Sequence, residues 1–138
     1  MTARTLTLRW LDGRGDTRVE QVVSLVAADA SGQFGLLPGH EDFITVVEPG
    51  LFRYRQADET AWRHAACAGG LLMCQTLQGA TEVRMVSRRF LSGDTPEALQ
   101  EALNRLLQEE ESLRLSTKDN LEQMDLALYK RLQELART

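Results

Sequence analysis

Long hydrophobic runs are absent from this sequence, and none approaches the roughly 20 residues that a membrane-spanning helix needs. The first residues alternate polar and apolar side chains instead of forming the apolar core of a signal peptide. Cysteine is also scarce, because Cys67 and Cys74 are too few for a disulfide framework. We therefore expect a protein of the reducing cytosol with two free thiols.

Excess positive charge is lacking as well. The chain has 16 basic residues against 20 acids, only two of the bases are lysines, and the net charge is −4. Residues 94–138 contain 10 acids and 6 bases, so this C-terminal part carries the whole imbalance. Without clustered Lys and Arg, neither nucleic acid nor an anionic membrane surface is expected as a partner.

Few residues form the patterns that enzymes and metal sites need. The sequence has neither a Gly-x-x-x-x-Gly-Lys-Ser/Thr phosphate loop nor a Gly-x-Ser-x-Gly nucleophile elbow. The only histidines are His40 and His64, and the pair of His64 and Cys67 has no matching second pair for zinc. A hydrolase or lyase would depend on His40 and Asp42, which no nucleophile accompanies. We expect no catalytic residues, no metal ion and no cofactor.

The first pattern that is present is a β pattern. Leu6, Leu8 and Trp10 alternate with polar residues, which places them on one face of a strand. Further short strands follow, separated by glycine-containing turns, as is typical of an all-β sandwich or barrel. We assign this domain to residues 1–93. Strands are predicted at residues 5–10, 19–26, 43–47, 51–56, 61–68, 71–76 and 82–86.

The periodicity then changes to that of a helix. Asp94 or Thr95 is suited to N-cap a helix, the latter with Pro96 at the first helical position. The polar stretch STKD at residues 116–119 again has capping-box form, which predicts that one helix ends and another begins there. We therefore expect residues 94–138 to form an antiparallel hairpin of two amphipathic helices, whose surplus apolar surface needs a partner.

The most distinctive segment is residues 31–43, in which three glycines and a proline surround apolar side chains. Glycine permits positive φ and close backbone approach, while proline fixes φ, so the segment should be stiff and turn-rich. One interpretation is a sandwich corner that buries its own aromatic residues, and the other is a preformed platform for a protein partner. His40 is correspondingly either an ordinary loop histidine or a partner contact.

The segment GQFGLLPGH at residues 32–40, followed by Phe43 and by Pro49-Gly50, resembles the signature of the epsilon subunit of rotary F-type ATP synthases. Gly69-Gly70 lies where that family has a Gly-Gly strand entry, and Gly93-Asp94 precedes the helices at the expected place. The resemblance is collinear over nearly the whole chain. Its details are most similar to the alternate sodium-type branch, the N-type ATPases.

This resemblance implies a mainly antiparallel β-sandwich of about ten strands, followed by two C-terminal helices. It also implies a non-catalytic rotor subunit of the central stalk, which links the gamma subunit to the c-ring and couples ion flow to ATP synthesis in the alpha/beta head. Such a subunit would be peripheral, on the cytoplasmic face of the bacterial inner membrane. By the same resemblance, the residues facing the c-ring or gamma are Gln33, Phe34, Leu37, Pro38, His40 and Asp42.

In bacterial members of this family the C-terminal helices can inhibit ATP hydrolysis by reaching the catalytic head. The basic residues that match this role are Lys118, Lys130, Arg131 and Arg137. Acidic residues in the same stretch offset these charges, which implies weaker electrostatic inhibition of ATP hydrolysis. Some relatives bind ATP through an acid and an arginine early in the first helix. Pro96 and Leu99 stand at those places here, so ATP sensing is not expected.

An alternative hypothesis needs no motor. The chain would then be a free-standing β-sandwich adapter or ligand-binding module whose helical hairpin covers its own sheet. Binding to a cognate gamma subunit distinguishes the two hypotheses, because only the rotor subunit requires it.

Overall fold

The structure is a computed structural model in which residues 4–137 are described. This part of the chain contains nine β-strands and one α-helix. The strands are β1 (Leu6–Asp12), β2 (Gly15–Asp29), β3 (Gly32–Leu36), β4 (Phe43–Val47), β5 (Gly50–Gln56), β6 (Arg63–Cys67), β7 (Gly70–Leu77), β8 (Ala80–Ser87) and β9 (Phe90–Ser92), and the helix is α1 (Pro96–Ala136).

The strands form one sheet that closes on itself. Their order is β1-β8-β7-β4-β2-β5-β6-β9, while β3 pairs with β2 and β1 also pairs with β2. The β1–β8 pair is parallel and the others are antiparallel. Because the long strand β2 pairs with β1 as well as with β4 and β5, the sheet folds into two layers. One layer contains β1, β8, β7 and β4, and the other contains β2, β3, β5, β6 and β9.

A hydrophobic core lies between the two layers. Leu6, Leu8 and Trp10 occupy the inner positions of β1 and are buried, as their alternation predicts. The Trp10 ring centroid is 5.6 Å from that of Phe52 and 5.9 Å from that of Phe90. Because these rings come from three different strands, their packing joins β1 to β5 and β9 through the interior.

The predicted β-sandwich is confirmed, and each of the seven predicted strands overlaps an observed one. The prediction omits β3 and β9. Gly32 and Gly35 give β3 the appearance of a turn, although it forms a ladder with β2 in which Phe34 lies opposite Ala27. The strand β9 has only three residues, which is too short for a periodicity. The described residues therefore form nine strands, where the resemblance implies about ten.

The helix begins as predicted but does not form a hairpin. The Ala98 amide donates to the Thr95 hydroxyl oxygen over 3.1 Å, so Thr95 is the N-cap. The expected joint at residues 116–119 is wrong for this structure, because α1 continues through it. These four residues include neither Gly nor Pro, and each costs a helix interior at most about 0.7 kcal/mol relative to Ala. A capping-box pattern of this kind is therefore compatible with a continuous helix.

The chain divides into two compact units between Leu103 and Asn104. The first turns of α1 belong to the unit that contains the sandwich, and Leu99 and Leu103 are 2% and 1% exposed there. In the other unit, all residues from 111 to 137 are exposed. Within residues 4–137, the chain has no helix apolar enough to span a bilayer. The assignment of residues 1–93 and 94–138 to separate domains stays a prediction.

Candidate protein-docking surfaces

The first candidate surface is the tight turn between β3 and β4, residues 37–42, which we call the end loop. The His40 amide donates to the Leu37 carbonyl oxygen over 3.1 Å, which closes the turn. Gly39 has a φ of +87°, a conformation that L side chains rarely adopt. The ring of Pro38 fixes the φ angle of that residue, so the end loop has little conformational freedom of its own.

Two threonine hydroxyls fasten the end loop to the ends of β7 and β8. The Gly39 amide donates to Thr81 Oγ1 over 2.7 Å, and the Thr76 hydroxyl donates to the His40 carbonyl oxygen over 2.7 Å. The two hydroxyl oxygens are 2.9 Å apart. In addition, the Thr76 amide donates to Asp42 Oδ1 over 3.0 Å. The end loop is thereby attached to the neighbouring hairpin by three hydrogen bonds, and the contact between the two hydroxyls links two of them.

The aromatic residues beside the end loop pack inward. The ring centroids of Phe34 and Phe43 are 5.5 Å apart, and both residues are partly buried against the core. The His40 ring is 5.8 Å from that of Phe43. The segment therefore buries its aromatic side chains, as the first interpretation predicts, while Leu37 is 59% exposed. Its role as a platform for a protein partner stays a prediction. Leu77, at the adjoining end of β7, is 66% exposed.

The structure brings four of the six predicted interface residues together on the end loop: Leu37, Pro38, His40 and Asp42. The other two lie on β3. Phe34 points towards the core, whereas Gln33 is exposed and lines an open cleft of about 210 Å³ together with Arg53, His64 and Pro96. Whether these six residues contact a partner stays a prediction.

A second candidate surface, which is not among the predicted interface residues, is an apolar row on the outer face of the sandwich. Val46, Leu71, Val86 and Leu11 occupy adjacent register positions across β4, β7, β8 and β1. Val46, Leu71 and Val86 are 67%, 37% and 44% exposed, and Ile44, two residues before Val46, is 65% exposed. A contiguous apolar patch on an outer face is typical of a protein interaction site. The sequence signal is the consecutive apolar pairs in β4 and β7, which favour strands covered on both faces.

Charged side chains border the apolar row. Arg9 forms ion pairs with Asp16 at 2.6 Å and with Glu82 at 3.5 Å, and Arg84 forms one with Glu82 at 2.8 Å. The hydrogen bond from Arg84 and the nearby guanidinium of Arg9 lower the pKa of Glu82. Arg9 on β1 and both Glu82 and Arg84 on β8 lie at outward positions next to Leu11 and Val86, whereas Asp16 lies on β2. An apolar centre with a charged edge is the composition of many protein interfaces.

The four basic residues predicted to contact the catalytic head are all exposed, three of them on α1 and Arg137 directly after its last residue. Lys130 and Arg137 are seven residues apart, which on a helix places them within about 20° of each other. Lys118 and Arg131 lie on other faces, each about 100–120° from Lys130. The helix therefore brings together only two of the four residues.

The described residues offer little reactive chemistry. Burial raises the pKa of both the Cys67 and the Cys74 thiol, which keeps them protonated and unreactive at neutral pH. Within residues 4–137, no three His, Cys, Asp or Glu side chains are grouped to hold a metal ion. The features that remain are the end loop, the apolar row and the exposed helix, all of which suit binding to other proteins.

These features define a class: a two-layered β-sandwich with a C-terminal helix and two surfaces suited to protein docking. A family model described as "ATP synthase, Delta/Epsilon chain, beta-sandwich domain" matches residues 5–87. The chain belongs to this family of ATP synthase delta/epsilon chains.

Curated relatives carry the same family name. The chain is 40% identical over 86 residues to "ATP synthase epsilon chain 2" of Cereibacter sphaeroides, covering 62% of this chain and 56% of that protein. It is 37% identical over 81 residues to "ATP synthase epsilon chain 2" of Paraburkholderia xenovorans, covering 59% and 55%. The matched segment thus spans little more than half the length of these relatives.

Two solved structures share the fold. One is a chain of the Euglena gracilis mitochondrial ATP synthase (OSCP/F1/c-ring), with a TM-score of 0.57 and 17% identity, covering 76% of this chain and 64% of that one. The other is from the central stalk/c-ring of the Tetrahymena thermophila mitochondrial ATP synthase, with a TM-score of 0.52 and 12% identity, covering 86% and 98%. At these identities the likeness supports the fold alone.

Proposed function

We propose that this chain is a non-catalytic rotor subunit of an F-type ATP synthase, of the sodium-type branch. It links the gamma subunit to the c-ring, for coupled ATP synthesis and ion transport, on the cytoplasmic face of a bacterial inner membrane. The family membership and the relatives named as epsilon chains support this proposal. As a peripheral subunit it is held at the membrane by its partners.

The observation that carries the proposal is that one sandwich presents two separate docking surfaces. The apolar row suits a permanent partner, because long-lived interfaces are the more hydrophobic ones, and we assign it to gamma. The end loop combines exposed Leu37 with His40 and Asp42, and we assign it to the polar loops of the c-ring. A subunit that joins two components of a rotor needs two such surfaces.

A crossover experiment tests this assignment. Val46→Glu places a charge in the apolar row, and Leu37→Glu places the same charge on the end loop. The two side chains are similarly exposed, Val46 at 67% and Leu37 at 59%. We expect Val46→Glu to weaken binding to purified gamma about a hundredfold and leave c-ring binding unchanged, and Leu37→Glu to do the reverse. Each variant is therefore the control for the other.

Two results would contradict the proposal in different ways. Full gamma binding by Val46→Glu would show that the apolar row is not the gamma surface. Failure of the wild-type chain to bind either gamma or the c-ring would reject the rotor role itself and favour the free-standing adapter.

The C-terminal helix is proposed to inhibit ATP hydrolysis. Its exposed apolar side chains recur at three- and four-residue spacing and would pack against the catalytic head. They include Leu121, Met124, Leu128 and Leu132. Of the basic residues, Lys130 and Arg137 share a face and are the best placed to act together.

We also propose that the start of α1 does not bind ATP. Leu99 stands where some relatives have an arginine, and its side chain is 2% exposed, so it packs in the sandwich unit instead of facing a ligand. Calorimetric titration of the full chain with Mg-ATP tests this, and heat of binding in the micromolar range would overturn it.

A further inference from the structure

We propose that Thr76 and Thr81 are positioning residues that lock the end loop to the strands carrying the apolar row, so that both docking surfaces move as one rigid unit. This inference rests on the proposed function, since it concerns how the c-ring surface is coupled to the gamma surface. Neither threonine is among the predicted interface residues.

Donors and acceptors around the two hydroxyls form a single continuous chain. The Thr76 hydroxyl donates to the His40 carbonyl oxygen, so its oxygen is left to accept from the Thr81 hydroxyl. Thr81 Oγ1 in turn accepts from the Gly39 amide. Each hydroxyl therefore donates once and accepts once, and hydrogen bonds in such a chain strengthen one another.

Burial makes this chain of hydrogen bonds selective for one loop conformation. Thr81 is 4% exposed and occupies an inward position of β8, in line with the core residues Val83 and Met85. A hydroxyl at such a position is costly unless it is hydrogen-bonded. Since its partners are the Gly39 amide and Thr76, any movement of the end loop away from the hairpin leaves a buried polar group unsatisfied.

The same strands connect the threonine pair to the apolar row. Thr76 is opposite Thr81 in the β7–β8 ladder, and five residues further along Leu71 is opposite Val86. Five residues of strand span about 16 Å, and the hydrogen-bonded ladder between these positions is unbroken in register. A force on the end loop is thus passed through the hydroxyl pair into the ladder that carries the row.

The test uses near-isosteric variants of the full-length chain. Thr76→Val and Thr81→Val remove the hydroxyls, Thr76→Ser and Thr81→Ser keep them, and Thr17→Val, at an exposed position of β2, is the matched control. The readouts are amide hydrogen exchange of Gly39 by NMR, binding to purified c-ring and binding to purified gamma.

We expect the valine variants to raise Gly39 exchange about tenfold and to weaken c-ring binding by a similar factor, with gamma binding unchanged. The serine variants and Thr17→Val should match the wild type in all three measurements. If Thr81→Val fails to fold because its site is buried, the partly exposed Thr76→Val decides the question.

Unchanged Gly39 exchange in a folded valine variant would overturn the inference, and so would faster exchange with full c-ring binding. If the wild-type chain binds no c-ring, the proposed function fails and the coupling of the two surfaces fails with it. Gly39 exchange would then still show whether the threonine pair fixes the end loop.

Discussion

Gly70 lies so close to Val86 that a Cβ atom on Gly70 would overlap the Val86 carbonyl oxygen. The two residues are on the adjacent strands β7 and β8, so a side chain at Gly70 would push apart the ladder that carries the apolar row. We predict that Gly70→Ala lowers the free energy of unfolding by about 2–4 kcal/mol, as overpacking of a well-ordered site does.

Urea denaturation checks this prediction, and Gly13→Ala is the control. A Cβ atom on Gly13 meets nothing within 4 Å, and we expect a change below about 0.5 kcal/mol there. Equal effects of the two substitutions would show that the close approach at Gly70 does not limit stability.

The start of α1 is predicted to stabilise the sandwich unit. Leu99 and Leu103 are almost fully buried in that unit, so Leu99→Ala or Leu103→Ala should cost about 2–5 kcal/mol. A chain that ends at Leu103 should have a higher midpoint of thermal unfolding than one that ends at residue 93, because only the longer chain keeps the two buried leucines. Differential scanning calorimetry compares the two truncations, and equal midpoints would contradict the prediction.

The proposed inhibition of ATP hydrolysis is tested with two matched double variants in and directly after α1. Lys130→Gln with Arg137→Gln removes the pair that shares a face, and Lys118→Gln with Arg131→Gln removes two charges from different faces. If charge at one face contributes to inhibition, the first double variant should raise the rate of ATP hydrolysis by the reconstituted head about two- to fivefold. This is the effect expected from losing exposed ion pairs worth less than about 1 kcal/mol. The second should change it little. Equal rates of ATP hydrolysis with the two double variants would show that packing, and not charge at one face, accounts for any inhibition.

Local sequence patterns predicted the parts of the fold that local physics decides. The alternation of Leu6, Leu8 and Trp10 predicts a strand with one buried face, and the cap at Thr95 predicts where α1 begins. The predicted joint at residues 116–119 is wrong, because a capping-box pattern describes only which residues tolerate a helix end. Such residues also fit a helix interior at modest cost, so the pattern alone does not terminate a helix.

The docking surfaces were only partly predictable, because they depend on contacts between distant residues. The end loop stands out through its glycines and proline, but the hydroxyls that fasten it, on Thr76 and Thr81, lie more than 35 residues away in the chain. The apolar row emerges only when register brings Val46, Leu71 and Val86 side by side. Strand register between non-adjacent segments is set by the whole fold and is not encoded in any single stretch.

The continuity of α1 predicts a long distance between its two halves. Cysteines introduced at Gln108 and Ala127, both exposed, would be about 28 Å apart in one helix and about 10 Å apart in a hairpin with a joint at residues 116–119. The native Cys67 and Cys74 are buried and should not react with a spin label. We expect the long distance in pulsed EPR of the isolated chain, and a dominant short distance would show that the hairpin is the resting state.

Asp12 makes stability depend on acidic pH. Its carboxylate accepts hydrogen bonds from the Arg14 amide over 2.8 Å and from the Phe90 amide over 2.9 Å, and these bonds hold its pKa below the ordinary value. Because the pKa is lower in the folded state, the stabilisation is fully present above the unfolded pKa of about 3.9. It is lost as the pH falls through the folded pKa.

We therefore predict that Asp12→Asn lowers the free energy of unfolding at pH 7, since an amide group cannot accept both hydrogen bonds. The difference in this free energy between the variant and the wild type should shrink steadily below about pH 4. Urea denaturation across this range measures the effect, with Asp58→Asn, at an exposed turn, as the control. The Phe90 amide joins β9 to the β1–β2 turn through Asp12, so hydrogen exchange at Phe90 should rise in the same pH range. If the free energy of unfolding differed between Asp12→Asn and wild type by the same amount at every pH, the Asp12 carboxylate would act through shape or packing and not through its charge.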